Sequence, residues 1–530
     1  MTILILQDLA VCILLYVLHL WPKRSSSHPP LPPGPPAEWL LSHLRVVPQK
    51  AAARAYYRWS KLYGERCSAV VHVNVLGRPI VVLNTLAAAV DMLHKRGAIY
   101  SDRPHWESFR MLGYEHDVLL TSSKDPSFPI LRGALQNYLA KSTVHQFAPV
   151  QVREARKLVK RIVQDPDNWK NALQMFSTAV IVGIIAGHEI KTPDDDYLQI
   201  GRGICEAMSG GGPPGATGVD LFPFLRYLPN WCDPTSSTAH VRKNKPAIMR
   251  MINVPYERVT QEIKAGTARP SFILSGIEEA EAEHGRVDAE TAARIRGVAG
   301  SMFSAGADTT LDTLTVFIFA IVNHPEAQER ARAELNAVVG PDRLPEMEDC
   351  PNLPYIGRMV QETFRIYPVS PLGAPHKSSK DDVYNGVFIP KGSVIVFNAF
   401  AMTHDEDVYT DPWRFDPDRY LPLNKGGRGE PLPAAHFGFG RRICPGRYLG
   451  EASVFIAIAT ILHVLTIKKM KDENGEEITI DPETATYTTG LASHPEKVLC
   501  TIEAVSERAR RLAMEGFVYM SASMVRVGIG

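Results

Sequence analysis

The 530 residues carry 58 Lys and Arg against 57 Asp and Glu, a formal net charge of +1, and 45% are hydrophobic. Such a chain is long enough to bury a sizeable core, and its charge balance offers no electrostatic footprint for nucleic acid. Seven cysteines, at 12, 67, 205, 232, 350, 444 and 500, show no paired spacing, which speaks against a disulfide framework or a zinc site and fits a reducing compartment.

In chain order, Ile3 to Trp21 is a mostly apolar run interrupted by Gln7, Asp8 and His19. Residues 1–22 are predicted to form a transmembrane signal anchor, with a cleaved signal peptide as the alternative. No basic residue precedes the run and Lys23-Arg24 follows it, which predicts that the body stays cytosolic. A basic and proline-rich hinge spans 23–36, ending in Pro29-Pro-Leu-Pro-Pro-Gly-Pro-Pro36, a stiff polyproline-like spacer. The body is expected over 37–512. Val70 to Asn84 alternates and is rich in β-branched residues, predicting two short strands around Leu76-Gly-Arg78. Phe128-Pro-Ile-Leu-Arg132 reads as a helix start, and helical patterns dominate from about Pro149 to Val339.

Ser209-Gly-Gly-Gly-Pro-Pro-Gly215 lacks the Gly-Lys-Ser/Thr ending and preceding strand of a nucleotide loop and is expected to be a mobile access loop. A long helix is predicted from an N-cap at Asp288 to about Asn323, roughly 50 Å at 1.5 Å per residue. It contains Ala305-Gly-Ala-Asp-Thr-Thr310. Gly306 in mid-helix costs about 1 kcal/mol relative to Ala, which points to a close approach, and Thr309 and Thr310 can bond back to carbonyls and open the helix.

A further helix from Pro354 to Ile366 puts Glu362 and Arg365 on one face, three residues apart. A β-leaning zone runs from Tyr384 to Phe400, and short β segments are expected at Ile478 and from Tyr487 to Leu491. The tail 513–530 matches nothing recognisable. Between these lies Phe437-Gly-Phe-Gly-Arg-Arg-Ile-Cys-Pro-Gly446, a glycine-flanked loop before an apolar helical stretch reaching about Val464. Gly438 and Gly440 permit positive φ, and Pro445 suits the first position of a helix. A lone sulfur there meets the positive end of the helix dipole and is biased toward thiolate. That arrangement suits one axial ligand to haem iron.

On these residues the chain resembles the cytochrome P-450 family of haem-thiolate monooxygenases. The loop matches the family pattern F-x-x-G-x-R-x-C-x-G at Phe437, Gly440, Arg442, Cys444 and Gly446. The resemblance implies a mainly α fold with small β-sheets behind an N-terminal anchor helix. It implies haem b as cofactor with Cys444 as axial ligand, Phe437 beside the sulfur and Arg442 on a haem propionate. Glu362-Thr-Phe-Arg365 and Phe415-Asp-Pro-Asp-Arg-Tyr420 resemble two further family segments, in which Glu362, Arg365 and Arg419 join a buried structural network. Here Asp418 and Tyr420 stand where Glu and Phe are usual.

The 305–310 segment resembles the family's oxygen-activation groove, which gives Thr309 the dioxygen side of the haem and Asp308 a proton-relay role. Arg132 and His376 match positions that contact propionates, although Phe128 replaces the usual Trp and lacks its indole N–H. By family position the pocket draws on Ser101–Leu120, 208–228, Met302–Thr309, Val369–Ala374 and Thr488–Leu491. Apart from the first, which carries several charges, these are mostly apolar, implying a hydrophobic small-molecule substrate, and a fungal flavour suggests a terpenoid or polyketide intermediate of secondary metabolism. No flavin, nicotinamide or iron–sulfur fingerprint is present, so electrons come from NADPH-cytochrome P-450 reductase, with cytochrome b5 as a second donor. That donor docks on the Cys444 side, where Arg441 and Arg447 add positive charge.

The expected location is the endoplasmic-reticulum membrane, single-pass, with aromatics in Val219–Pro229 dipping into the bilayer. A haem-thiolate isomerase or dehydratase, and a non-catalytic haem-binding protein, are the alternatives; the Asp308-Thr309 pair argues against both.

Overall fold

The computed structural model describes residues 28–515 except 40, 49, 64–68, 115 and 210–216. The anchor, the first part of the hinge, the glycine-rich access loop, Cys12 and Cys67, and the tail beyond 515 lie outside the described residues.

Helix α1 (Ala52–Tyr63) leads into β1 (Val70–Val75) and β2 (Arg78–Leu83). Leu76 and Gly77 between them have φ of +51° and +83°, the paired positive values that a two-residue hairpin turn uses to match strand twist. The main helices follow: α2 (Phe128–Tyr138), α3 (Ala148–Gln164), α4 (Trp169–Ala186), α5 (Asp196–Ser209), α6 (Ser237–Ala265), α7 (Phe272–His284), α8 (Ala289–Ile321), α9 (Pro325–Val338) and α10 (Pro354–Ile366). Then come β3 (His376–Lys377), β4 (Asp382–Tyr384), β5 (Val387–Ile389) and β6 (Val394–Phe397), helix α11 (Arg447–Val464), β7 (Leu465–Lys469), β8 (Cys500–Ala504) and α12 (Glu507–Glu515). The largest sheet runs β1-β2-β6-β3, antiparallel except for the parallel β2–β6 pair.

Helix α8 runs for 33 residues from its cap at Asp288, whose carboxylate accepts the Thr291 N–H at 2.7 Å. It crosses the molecule against α4. A Cβ on Gly306 would lie 2.8 Å from Ile181 Cγ1 of α4, so glycine is what lets the two helices touch. Pro166–Ala186 and Arg447–Val464 are long and apolar enough to cross a membrane, yet 78% and 72% of their apolar windows are buried inside the fold. They are core helices, apolar all round because other elements cover every side.

Glu362 and Arg365 of α10 are fully buried. Arg365 donates to both Glu362 oxygens at 2.8 Å, and Arg419 adds a bond at 3.0 Å. Tyr420, where the family has Phe, donates its hydroxyl to Glu362 at 2.7 Å, and Asp418 pairs with Arg358 at 3.2 Å. Tyr420 therefore extends the network, while Asp418 makes a separate ion pair with α10.

Two expectations are corrected. Ile478 and 487–491 form no strands: the nearest pairings are isolated bridges, Lys471 to Glu477 and Tyr487 to Pro495. The sheet at this end is instead β7 with β8, joined across 30 intervening residues, a long-range pairing that local alternation does not reveal. The last part of the β-leaning zone is also helical, Ala399–Thr403, capped by Asn398. The proline segment runs along the body: the Pro30 and Pro33 carbonyls accept the Phe388 and His72 N–H groups, each at 2.8 Å.

Candidate haem-binding active site

Between α8, α10, α11 and the 436–446 loop lies a cavity with about 2050 Å³ of atom-free space, counting its open mouth. Among the described cysteines Cys444 lines it, whereas Cys205, Cys232, Cys350 and Cys500 do not. Cys500 sits on β8, away from the cavity. The loop is folded by its glycines, Gly438 at φ +74° and Gly440 at +55°. A Cβ on Gly440 would fall 2.3 Å from the Leu93 carbonyl oxygen. The Cys444 N–H donates to the Phe437 carbonyl at 2.8 Å, closing the loop so that Phe437 lies in the cavity wall with the sulfur.

Helix α11 begins at Arg447 with Gly446 as its cap, so Pro445 precedes the helix, not its first turn as the sequence suggests. The Gly446 N–H faces the sulfur, and Arg132 and Arg447 add positive charge; all three favour thiolate, yet burial outweighs them and pushes the thiol up. A bound metal ion would place a further positive charge beside the sulfur and favour the thiolate.

Three arginines and a histidine converge on the cavity rim. Arg442 donates to the carbonyls of Ser101 (2.9 Å), Val118 (3.2 Å) and Thr121 (2.8 Å). Its guanidinium lies 3.8 Å from the centre of the Phe128 ring, so the residue standing where the family has Trp supports the cation by its π face. Arg132 donates to the Ile443 carbonyl, and its Nε has no partner. His376 Nδ1 is 2.8 Å from the Tyr100 carbonyl, and burial, with Arg103 nearby, holds the ring neutral.

The sequence reading missed Arg103, which donates to the carbonyls of Leu119 (2.9 Å), Ala374 (2.7 Å) and Pro375 (2.7 Å). Its one sequence cue is the following Pro104, which confines it to extended backbone. Burial and then the charges of Arg442 and Arg132 pull the Arg103 pKa well down, against Asp117 and Asp102. Arg442 is lowered to about 10 by burial and Arg132. Among the described residues none of the three makes a salt bridge. Three buried cations with no directly paired carboxylate are costly, and a ligand bearing two carboxylates would relieve them. The donor set of one sulfur, three guanidiniums and an apolar slot therefore fits haem b with its two propionates.

Helix α8 forms the opposite wall, contributing Ser304, Ala305, Gly306, Asp308, Thr309 and Thr310. Thr309 Oγ1 donates to the Ala305 carbonyl at 2.8 Å, and Thr313 repeats the pattern onto the Thr309 carbonyl at 2.8 Å. These back-bonds draw on the helix ladder around Gly306. Burial and then the like charge of Asp312 push Asp308 up to about 7, while a hydrogen bond with Cys205 and the nearness of His494 act the other way.

The structure thus gathers Cys444, Phe437, Arg442, Arg132, His376, Thr309 and Asp308 around one cavity. The remaining lining is largely apolar: Val118, Val180, Ile181, Met302, Val369 and Leu491 among others. The expected 208–228 contribution reduces to Met208 among the described residues. Farther along that segment Phe222, Phe224 and Tyr227 point to the surface, 38%, 59% and 74% exposed.

A profile of the cytochrome P-450 family matches residues 32–499. The chain is 33% identical to cytochrome P-450 monooxygenase 176 of Postia placenta over 93% of its own length and 94% of that protein's. It is 33% identical to cytochrome P-450 monooxygenase COX1 of Coprinopsis cinerea, covering 86% and 89% of the two chains. It is also 33% identical to cytochrome P-450 monooxygenase claR of Ampulloclitocybe clavipes, covering 94% and 90%. Members of this family carry haem b on a cysteine thiolate and receive electrons from a redox partner. A family profile spanning most of the body, relatives aligned nearly end to end, and a cavity whose donors suit that cofactor agree: the chain belongs to the cytochrome P-450 family and is a haem-thiolate monooxygenase.

Proposed function

We propose that this monooxygenase inserts one oxygen atom of O2 into a terpenoid or polyketide intermediate of secondary metabolism. The enzyme is anchored in the endoplasmic-reticulum membrane by residues 1–22, with the 37–512 body on the cytosolic side. Electrons arrive from NADPH-cytochrome P-450 reductase, aided by cytochrome b5. The observation that carries the reading is the cavity itself, with the Cys444 thiol on one wall, a Gly-Ala-Asp-Thr segment on the other, and apolar side chains between.

In this reading Cys444 would hold the haem iron, with Phe437 beside the sulfur, and Arg442, Arg132 and His376, joined by Arg103, would hold the propionates. Haem b supplies oxygen binding and the oxidising power for insertion. Thr309, whose hydroxyl bonds back to the Ala305 carbonyl on the cavity wall, would offer a hydrogen bond on the oxygen side of the cavity. Asp308, raised toward neutrality by burial, exchanges protons near physiological pH, where such a group is most effective. The apolar lining excludes water and holds an apolar substrate by its shape. The exposed aromatics Phe222, Phe224, Tyr227 and Trp231 form a surface suited to the bilayer interface, and Arg441 offers positive charge to an acidic donor.

The test is to supply microsomes containing the protein and its reductase with NADPH and a panel of terpenoid and polyketide precursors. Hydroxylated product dependent on NADPH supports the reading. An isomerised or dehydrated product formed without NADPH favours the isomerase alternative. In a parallel test, Cys444→Ser should abolish the thiolate-type spectrum of the reduced carbon-monoxide complex; retention of that spectrum removes the ligand assignment.

A further inference from the structure

The acid on the oxygen wall is connected to the protein surface. Asp308 and Asp312 lie one turn apart on the same side of α8, and Asp312 is 3% exposed. Asp312 Oδ1 is 2.8 Å from His494 Nδ1, in a contact that lacks aligned N–H···O geometry. His494 Nε2 is 3.0 Å from Lys170 Nζ at the start of α4, and Lys170 is exposed. Exposure thus falls stepwise from lysine through histidine to aspartate.

The loop bearing His494 is fixed on both sides: the Ser493 N–H donates to the Val369 carbonyl at 2.7 Å and the Thr488 N–H to the His494 carbonyl at 3.0 Å. The other titratable groups at this spot are Cys205, hydrogen-bonded to Asp308, and Tyr367, near Asp312. Burial raises both, so they stay neutral.

We propose that Lys170, His494 and Asp312 form a proton path from solvent to Asp308, with His494 as its carrier. This rests on the role given to Asp308 and Thr309 above. Because an ammonium has only donors, its contact makes Nε2 an acceptor and leaves the ring proton on Nδ1, 2.8 Å from Asp312, which a small turn of the ring would align. The Lys170 ammonium gives a proton to Nε2 as the Nδ1 proton passes to Asp312, so the ring never holds a lasting extra charge. Asp312 passes the proton through one bridging water to Asp308, Lys170 is reprotonated from solvent, and the partly exposed imidazole regains its Nδ1–H tautomer by exchange with water, Nε2 losing one proton as Nδ1 gains one. Two passes deliver the two protons that combine with one oxygen atom and two reductase-supplied electrons to make water, while the other oxygen atom enters the substrate.

The competing view is that the Asp312–His494 pair only clamps the 487–495 loop onto α8. The test uses the full-length holoenzyme with reductase and NADPH, acting on the panel compound that the wild-type protein hydroxylates fastest. His494→Gln and Asp312→Asn are each expected to raise hydrogen peroxide released per product about tenfold. Added imidazole should reverse much of the loss in His494→Ala. Guaiacol oxidation driven by hydrogen peroxide brings its own protons, so it bypasses the path and should change less than about twofold.

Unchanged peroxide release in both variants overturns the path, as does an equal fall in NADPH-driven and peroxide-driven turnover, which a clamp alone would give. If the wild-type protein forms no product from NADPH yet oxidises guaiacol, the functional reading fails and the path falls with it.

Discussion

Two groups of buried arginines sit in this protein, and they differ in one respect. Arg365 and Arg419 are wholly buried, and Glu362 accepts three of their N–H bonds along with the Asp416 N–H and the Tyr420 hydroxyl. Arg419 also reaches Glu430 at 2.6 Å. Arg103, Arg132 and Arg442 are nearly as buried but are held by backbone carbonyls alone. The first group contains its own counter-charge and is complete when the chain folds. The second has its dipoles, while the nearby carboxylates of Asp102 and Asp117 act on it without making a direct ion pair. A buried cation cluster satisfied by carbonyls and short of carboxylates marks a place for an acidic ligand, whereas one closed around a glutamate marks structure.

The sharpest way to break this comparison is Glu362→Gln. It leaves the Arg365 guanidinium buried without a counter-ion, with Arg419 keeping only Glu430, and should cost about 3–5 kcal/mol, read as a large drop in melting temperature or as failure to accumulate folded holoprotein. Survival of a stable protein would show that the network does not need its charge.

Asp308 tests the acidic side of the same argument. Its folded-state pKa, up to about 7 against an ordinary 3.8, lies above its unfolded value. The folded chain therefore holds the extra proton between those values, and stability falls as pH rises through that window. Each pKa unit is worth about 1.4 kcal/mol. Asp308→Asn should therefore raise the melting temperature relative to wild type at about pH 8 and leave it little changed near pH 4, as followed by calorimetry across pH.

Arg442→Leu should do the opposite of Glu362→Gln. Removing one of three mutually repelling cations should leave the haem-free protein as stable or more so. Loss of a charge-assisted bond worth about 1.5–3 kcal/mol should meanwhile speed haem transfer to an acceptor globin at least about tenfold. A stability loss without faster haem transfer would make Arg442 structural. The smallest effect is expected from Phe128→Trp. The ring can still lie under Arg442, and the indole adds a donor worth about 1 kcal/mol, so haem loss should slow roughly fivefold.

Much of the site was legible because its chemistry is local in sequence. The Cys444 loop, the Thr309 segment and the Glu362–Arg365 pair each declare themselves within ten residues, and the cap at Asp288 gave the start of α8 to the residue. Arg103 did not declare itself, since its partners are carbonyls contributed from Leu119 and from Ala374-Pro375, residues that come close only on folding. The β7–β8 pair was missed for the same reason, its two strands being 30 residues apart. Phe128 looked like the loss of a donor. Only the packing of α2 on the loop shows that its ring carries Arg442. No motif marks His494, which meets Asp312 only because its loop comes to rest on α8.

By itself the sequence determined the fold class, the sulfur and the acid–hydroxyl pair, because turn glycines, helix caps and short motifs act through bonds that span a few residues. Tertiary structure alone decided which buried charges would find a counter-ion and which would not. Desolvation and Coulomb energies depend on distances between segments far apart in the chain, and no spacing along the chain encodes those distances.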